Sequence, residues 1–274
     1  MRPANGLLTA LALGAAACPI WNGTQGDQRP VGATTVALPL DKAINRSQES
    51  LFGDVCADAY LASGADAGAV AALFNGGSIR CEAPSFDANA DNQGCKGQSV
   101  PPGNIDRLLL SDVIPFESAD DLVVVRLTGA ELKSTLERSV ASLPSKASGW
   151  FMQVSGLTYT ADCAQPAQVI DPNYPSVLRV ISDGSRVGAI VLGGKLVDPA
   201  DTTTTYDIVT NSFEAQGSDG HVAMGLACQT QQCQPFEPSS SDYVVIASYL
   251  GTNDPISPTL QGRITLSPSC QLKQ

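Results

Sequence analysis

Residues 121–143 read DLVVVRLTGAELKSTLERSVASL. The β-branched run Val123-Val124-Val125 gives way at Thr128-Gly129 to Leu132, Leu136 and Val140 at helical spacing. A strand, a turn and a helix are therefore expected here. Upstream, SQESLFGDVCADAYLAS (47–63) places Leu51, Val55, Ala59 and Leu61 on one helical face, with Ser47 and Ser50 as candidate caps. AGAVAALFNGGSIR (67–80) reads as a short buried run ending in a glycine turn. Downstream, FMQVSGLTYTA (151–161) alternates like a half-buried strand. SVLRVISDGSRVGAIVLGGKLV (176–197) reads as strands joined by turns at Asp183-Gly184 and Gly193-Gly194. TYDIVTNSFEAQGSDG (205–220) is a strand entering a loop, SDYVVIASYLG (241–251) a helix and QGRITL (261–266) a last strand. Mixed element order with hairpins, and no internal repeat, predicts an α+β fold of layered mixed sheets and helices.

Around this body, residues 18–39 are polar and glycine-rich and read as a linker or extended arm, so the domain is expected over 40–274. Residues 82–103 carry DANADNQG and PPGN without apolar periodicity and read as a surface insertion. The start, MRPANGLLTALALGAAACPIW, joins one Arg to an apolar run from Leu7 to Ala17, as in a short signal peptide or lipoprotein leader over 1–17. The run is too short for a membrane-spanning helix. Any membrane attachment would go through a lipid on Cys18, although the usual Leu three places earlier is missing. The ragged start of a truncated frame is the alternative reading.

Eight cysteines fit export, because oxidising compartments stabilise disulfides. Cys81 with Cys95, Cys228 with Cys233 and Cys163 with Cys270 are the expected pairs, and Cys56, in an apolar helical stretch, reads as a buried thiol. Without a CxxC, and with a single His, a zinc site is disfavoured. The formal net charge of −11 repels nucleic acid and anionic membranes. An anionic ligand would have to be met by a few well-placed arginines.

Three stretches carry candidate chemistry. In FNGGSIR (74–80) the glycines let a ligand approach the backbone, Asn75 can hydrogen-bond a base edge or hydroxyl, and Arg80 can fork onto a phosphate. A plain turn fits that stretch too. PFES (115–118) offers Phe116 after a proline, which reads equally as a core plug. NSFEAQGSDGH (211–221) offers Phe213 as a stacking face and Asp219 as an acceptor for vicinal hydroxyls. His221 has no second His, thiol partner or acid triad in view and reads as non-catalytic.

Together NRSQESLFGDVCADA, FNGGSIR, IPFESADDLVVVRLTGAELKSTLERSV, FMQVSGLTYT and VTNSFEAQGSDG resemble, in order and spacing, the C-terminal domain of the 5′-nucleotidases and UDP-sugar hydrolases. The likeness runs from about residue 31 to 268. It implies a substrate-recognition domain for a nucleotide or nucleoside. By that resemblance Phe116 and Phe213 clamp the base and Asp219 holds the ribose. Arg46 and Arg80 take the phosphates, and Asn75 with the Gly77 backbone lies on the base side. Ser78 replaces the third glycine of the family's NGGGIR, and GSDG replaces GGDG. Glu117 and Ser118 replace the Gly-Asn of PFGN, bringing a negative charge near the base.

The family's chemistry resides in its other, metallophosphatase domain, where two divalent metals bind through Asp, His and Asn. One His cannot serve such a centre, so no catalytic residue, metal or cofactor is expected in this chain. Divalent metals are expected only in a separately encoded metallophosphatase partner. A free-standing nucleoside binder, or a truncated inactive remnant, remains the alternative.

Overall fold

The computed structural model of the protein describes residues 28–81, 97–116, 121–230, 232–236 and 240–273. The leader, Cys18, Cys95, Glu117, Ser118 and residues 82–96 of the expected insertion lie outside the described residues. Chain order begins with β1 (Pro30–Thr34), β2 (Leu38–Pro39), α1 (Lys42–Asn45), α2 (Leu51–Gly64) and β3 (Ala71–Asn75). It continues with β4 (Ser99–Val100), β5 (Gly103–Asp106), α3 (Arg107–Val113), β6 (Leu122–Thr128) and α4 (Gly129–Ser139). The middle is all strand: β7 (Met152–Ser155), β8 (Leu157–Ala161), β9 (Val169–Ile170), β10 (Val180–Ser182), β11 (Val187–Leu192) and β12 (Lys195–Leu196). The chain closes with β13 (Thr205–Asn211), α5 (Ser212–Ala215), α6 (Val222–Gln229), β14 (Cys233–Pro235), α7 (Asp242–Thr252) and β15 (Ile264–Leu266).

A five-stranded sheet, ordered β14-β6-β13-β3-β7, divides the α+β fold into two cores. The period-2 alternation of its strands sorts their side chains. Ala72, Phe74, Val209 and Leu122 join one core with Phe52, Val55 and Tyr60 of α2 and Val245, Ile246 and Leu250 of α7. Ala71, Leu73, Ile208, Val123, Val125 and Leu127 join the other, with Leu132 and Leu136 of α4 and Met224 of α6. A four-stranded sheet, β12-β11-β8-β15, covers that second face through Tyr159, Ile190 and Ile264.

Local chemistry sets the helix starts. Ser50 caps α2, its Oγ accepting from Gly53 N at 3.0 Å. Ser47 instead donates to Ala43 O, behind the cap. At Thr128-Gly129 there is no turn; β6 runs straight into α4 through a capping box. Glu131 N donates to Thr128 Oγ1 at 3.2 Å, and Thr128 N to Glu131 Oε2 at 2.8 Å.

Several expectations change. The expected linker contains β1 and β2, which pair antiparallel with β5 and β4, so ordered pairing begins ten residues before Leu40. β4 and the start of β5 likewise lie within the expected insertion. The sequence showed neither, because such short, polar, glycine-containing strands have no periodicity to detect. FMQVSGLTYTA is two strands that part at Gly156, β7 pairing with β3 and β8 with β11 and β15. Gly193-Gly194 does turn a hairpin, but β10 pairs with β9, so Asp183-Gly184 joins different sheets. Disulfides link Cys163 to Cys270 and Cys228 to Cys233. Cys81 is disulfide-bonded, and its expected partner Cys95 lies outside the described residues. Cys56 is a free, buried thiol, its pKa pushed up by burial and then by the Asp242 charge. No helix among the described residues is long and apolar enough to cross a membrane.

One fully buried side chain fastens β7 to the α1–α2 connection. Gln153 Nε2 donates to Asn45 O at 2.9 Å and Gln48 O at 2.8 Å, while its Oε1 accepts from Ser50 N at 3.1 Å. Gln153→Leu fills the same space but strands three backbone groups. We expect it to lower unfolding free energy by at least about 2 kcal/mol, read as a reduced urea midpoint at unchanged m-value.

Candidate functional site

Sheet register brings the site together. β3 and β13 run parallel, Ile208 opposite Ala71 and Val209 opposite Ala72, so both end at the same edge. β6 and β7 run antiparallel to them and start there, with Leu122 opposite Asn211 and Met152 opposite Asn75. Four segments therefore meet at one end of the sheet: the turn after Asn75, the α5 loop after Asn211, the approach to β6 from Phe116, and the approach to β7 through Gly149. Ser212 N donates to Asp121 O at 2.8 Å, Gly77 N to Gly149 O at 2.9 Å and Ser148 N to Arg46 O at 3.1 Å, tying these segments to one another. Gly76 is required at this junction, since a Cβ there would lie 2.1 Å from Asn45 O.

Between these segments lies a cavity of about 440 Å³ lined by Arg46, Asn75, Gly77, Ser78, Arg80, Phe116, Gly149, Phe213 and Asp219. That volume falls in the range of small-molecule sites. Every binding residue singled out in the sequence lies on this wall. Phe213, on α5, is 43% exposed, so its ring is open to a ligand in the cavity. Phe116 carries the Arg80 guanidinium 5.3 Å from its ring centroid.

Asn75 is oriented by a chain of caps. Asn211 Oδ1 accepts from Glu214 N at 2.9 Å, which turns Asn211 Nδ2 toward Asn75 Oδ1 at 3.0 Å. Ser78 Oγ donates to the same oxygen at 2.9 Å. With its oxygen engaged twice, the group Asn75 has left to offer is the Nδ2 donor.

Arg46 leaves the end of α1 and reaches Gly77 O with Nη2 at 3.5 Å. Burial raises the Asp219 pKa above its ordinary value, and the nearby Arg138, Arg46 and Arg80 charges oppose that rise. In a chain of net charge −11, the described wall thus carries two guanidiniums against one carboxylate. An anionic group is favoured locally where the whole molecule repels it.

Two lining residues were missed as site members. Ser78 stood out only as a small replacement, and Gly149 carried no signal because β7 pairing, not spacing, brings it here. Among the described residues no group of three His, Cys, Asp or Glu side chains could hold a metal ion, so a dinuclear centre does not fit this wall.

His221 is fully buried with Nε2 3.1 Å from Trp150 O, a contact made only as donor, and 3.7 Å from Glu214 Oε2. Burial first, then Arg138, lowers its pKa to about 3. It is a neutral core residue. Its folded pKa lies below the unfolded value of 6.5, so the unfolded chain takes up the proton first. Its contribution to stability is complete above about pH 6.5 and declines as pH falls toward 3. We expect the single histidine's NMR signal not to titrate between about pH 8 and 5. His221→Gln should flatten the part of the Tm–pH profile that His221 causes.

The profile of the 5′-nucleotidase C-terminal domain matches residues 30–225. Among curated relatives, the "Trifunctional nucleotide phosphoesterase protein YfkN" of Bacillus subtilis is 27% identical over 242 residues, covering 85% of this chain and 14% of that protein. A "5′-nucleotidase-related protein" of Glossina morsitans morsitans is 29% identical over 245 residues, covering 86% of this chain and 38% of its own length. Among solved structures, a 5′-nucleotidase precursor from Thermus thermophilus superposes with a TM-score of 0.69 at 30% identity. That match covers 88% of this chain and 40% of the other. The chain thus spans well under half the length of these relatives.

Proposed function

The chain belongs to the 5′-nucleotidase C-terminal domain family, and from that premise we propose that it is the nucleotide- or nucleoside-recognition half of a 5′-nucleotidase-type phosphohydrolase serving nucleotide catabolism. One observation carries the reading. Two phenyl rings, two arginines, an amide donor and an aspartate, drawn from four separate segments, line a single cavity. A base enters between Phe116 and Phe213, each face contributing about 1–3 kcal/mol of stacking. Asn75 Nδ2 donates to an acceptor on the base side. Asp219, whose arginine neighbours oppose the effect of burial on its charge, accepts from the vicinal ribose hydroxyls. Arg46 and Arg80 hold the phosphate tail, where charge-assisted bonds are strongest.

Hydrolysis itself is assigned to a metallophosphatase domain beyond these residues, acting on a phosphate presented at the mouth of the cavity. A dinuclear centre needs several His, Asp or Asn ligands, and the one His is locked in the core. The chain acts outside the reducing cytoplasm, in the periplasm or extracellularly. The disulfides support that location.

Adenosine or AMP at millimolar concentration should raise Tm without any metal, and an unmoved Tm would count against the site. Phe213→Ala should weaken binding at least tenfold, about 1.4 kcal/mol, with the fold unchanged by circular dichroism. The purified chain should release no phosphate from AMP with manganese or zinc; turnover that survives rigorous purification overturns the assignment of chemistry elsewhere.

A further inference from the structure

We infer that Arg138 is the positioning residue of this site, a guanidinium that stays off the ligand and holds Asp219 in the conformation from which its carboxylate serves the cavity. The inference rests on the reading of Asp219 as the ribose acceptor.

Asp219 has φ 55°, the one positive value among the described non-glycine residues. A left-handed aspartate costs on the order of 1 kcal/mol and persists only where its surroundings enforce it. The enforcement comes largely from α4. Arg138 Nε donates to Asp219 O at 2.7 Å, gripping the strained residue by its carbonyl. The guanidinium also lies against the next residue: a Cβ at Gly220 would fall 2.6 to 2.8 Å from its Nε, Cζ and Nη2. It is held in turn by Trp150, with Cζ 4.1 Å from the ring centroid. Trp150 O accepts from His221, two residues beyond Asp219, and Tyr174 Oη donates to Gly217 O at 3.1 Å on the other side. The loop is fixed at Gly217, Asp219 and His221, and Arg138 holds the middle point.

Arg138 does not line the cavity, so it has no route to a ligand except through Asp219. Its charge is also first among the influences that draw the Asp219 pKa down against burial. One side chain thus fixes the place of the acceptor and opposes the effect of burial on its charge. The expected signature is selective: losing Arg138 harms recognition of the sugar hydroxyls and leaves ring stacking alone. A purely structural residue would weaken every ligand alike.

The test compares adenosine with 2′,3′-dideoxyadenosine by calorimetry on wild type, Asp219→Asn, Arg138→Gln and Arg138→Lys, and on each arginine variant combined with Asp219→Asn. Amide hydrogen exchange over 217–222 is followed in the ligand-free proteins. We expect Arg138→Gln to weaken adenosine about tenfold, with dideoxyadenosine within about twofold of wild type and exchange faster in that segment. Arg138→Lys should recover part of the loss, and no further loss should appear in the Asp219→Asn background. Equal weakening of both nucleosides, unchanged adenosine affinity in a folded variant, or unaltered exchange each overturns the inference. If wild type binds neither nucleoside, the recognition reading falls and takes the affinity effect with it. The exchange data then decide separately whether Arg138 fixes the loop. Should Arg138→Gln fail to fold, Arg138→Lys alone decides: it keeps the charge but not the flat stack on Trp150, so adenosine should still weaken relative to its dideoxy analogue.

Discussion

The parallel pairing of β3 with β13 is the constraint on which the site depends. Two strands far apart in sequence end at the same edge, and Asn211 Nδ2 bridges to Asn75 Oδ1 across that edge at 3.0 Å. Because β6 and β7 pair antiparallel with the outer sides of β13 and β3, their entering loops are carried to the same end. A single register decision thus assembles walls that begin at Asn75, Phe116, Gly149 and Phe213. A one-residue slip would turn Ala72, Phe74 and Val209 toward the wrong core. The two buried faces therefore protect the register, and through it the cavity.

Site and scaffold are coupled by a few polar side chains buried for a purpose. Gln153, Asn211 and Ser50 each satisfy backbone or amide groups that burial would otherwise leave without partners. Their removal costs more than their presence gains, because an unmet buried donor loses its water without compensation. The same logic explains His221. It remains neutral and hydrogen-bonded in the core, spending its ring on Trp150 O. The site's electrostatics run against the rest of the molecule: an acidic protein keeps two guanidiniums on the wall of one cavity. Steering from a distance is therefore unfavourable for an anion, and holding must be local, through short-range bonds and stacking.

Much of the fold was visible in one dimension. The cap at Ser50, the β-branched run of β6 and the apolar periodicity of α4 are local consequences of side-chain chemistry and read correctly, whereas Ser47 is no cap and Thr128 caps α4 where a turn was expected. β1, β2, β4 and β5 were not visible, because two- to five-residue strands rich in Gly and Pro gain their stability from partners and leave no pattern. The division of FMQVSGLTYTA between two sheets was hidden for a similar reason. Alternation is the same whichever sheet a strand joins.

The sequence by itself determined which side chains a site could draw on, two phenyl rings, two guanidiniums, an amide and a carboxylate, wherever they fall in the chain. It also determined the cap at Ser50 and the apolar periodicity of α4. Only the tertiary structure decided that Phe116 and Phe213 share a cavity, that Gly149 closes it, that Asn75 presents a donor, and that Arg138 grips Asp219. Each of those facts depends on strand direction, register and packing between segments tens of residues apart. Such pairings are set by the sum of many weak contacts across the whole fold, and no short stretch of sequence contains them.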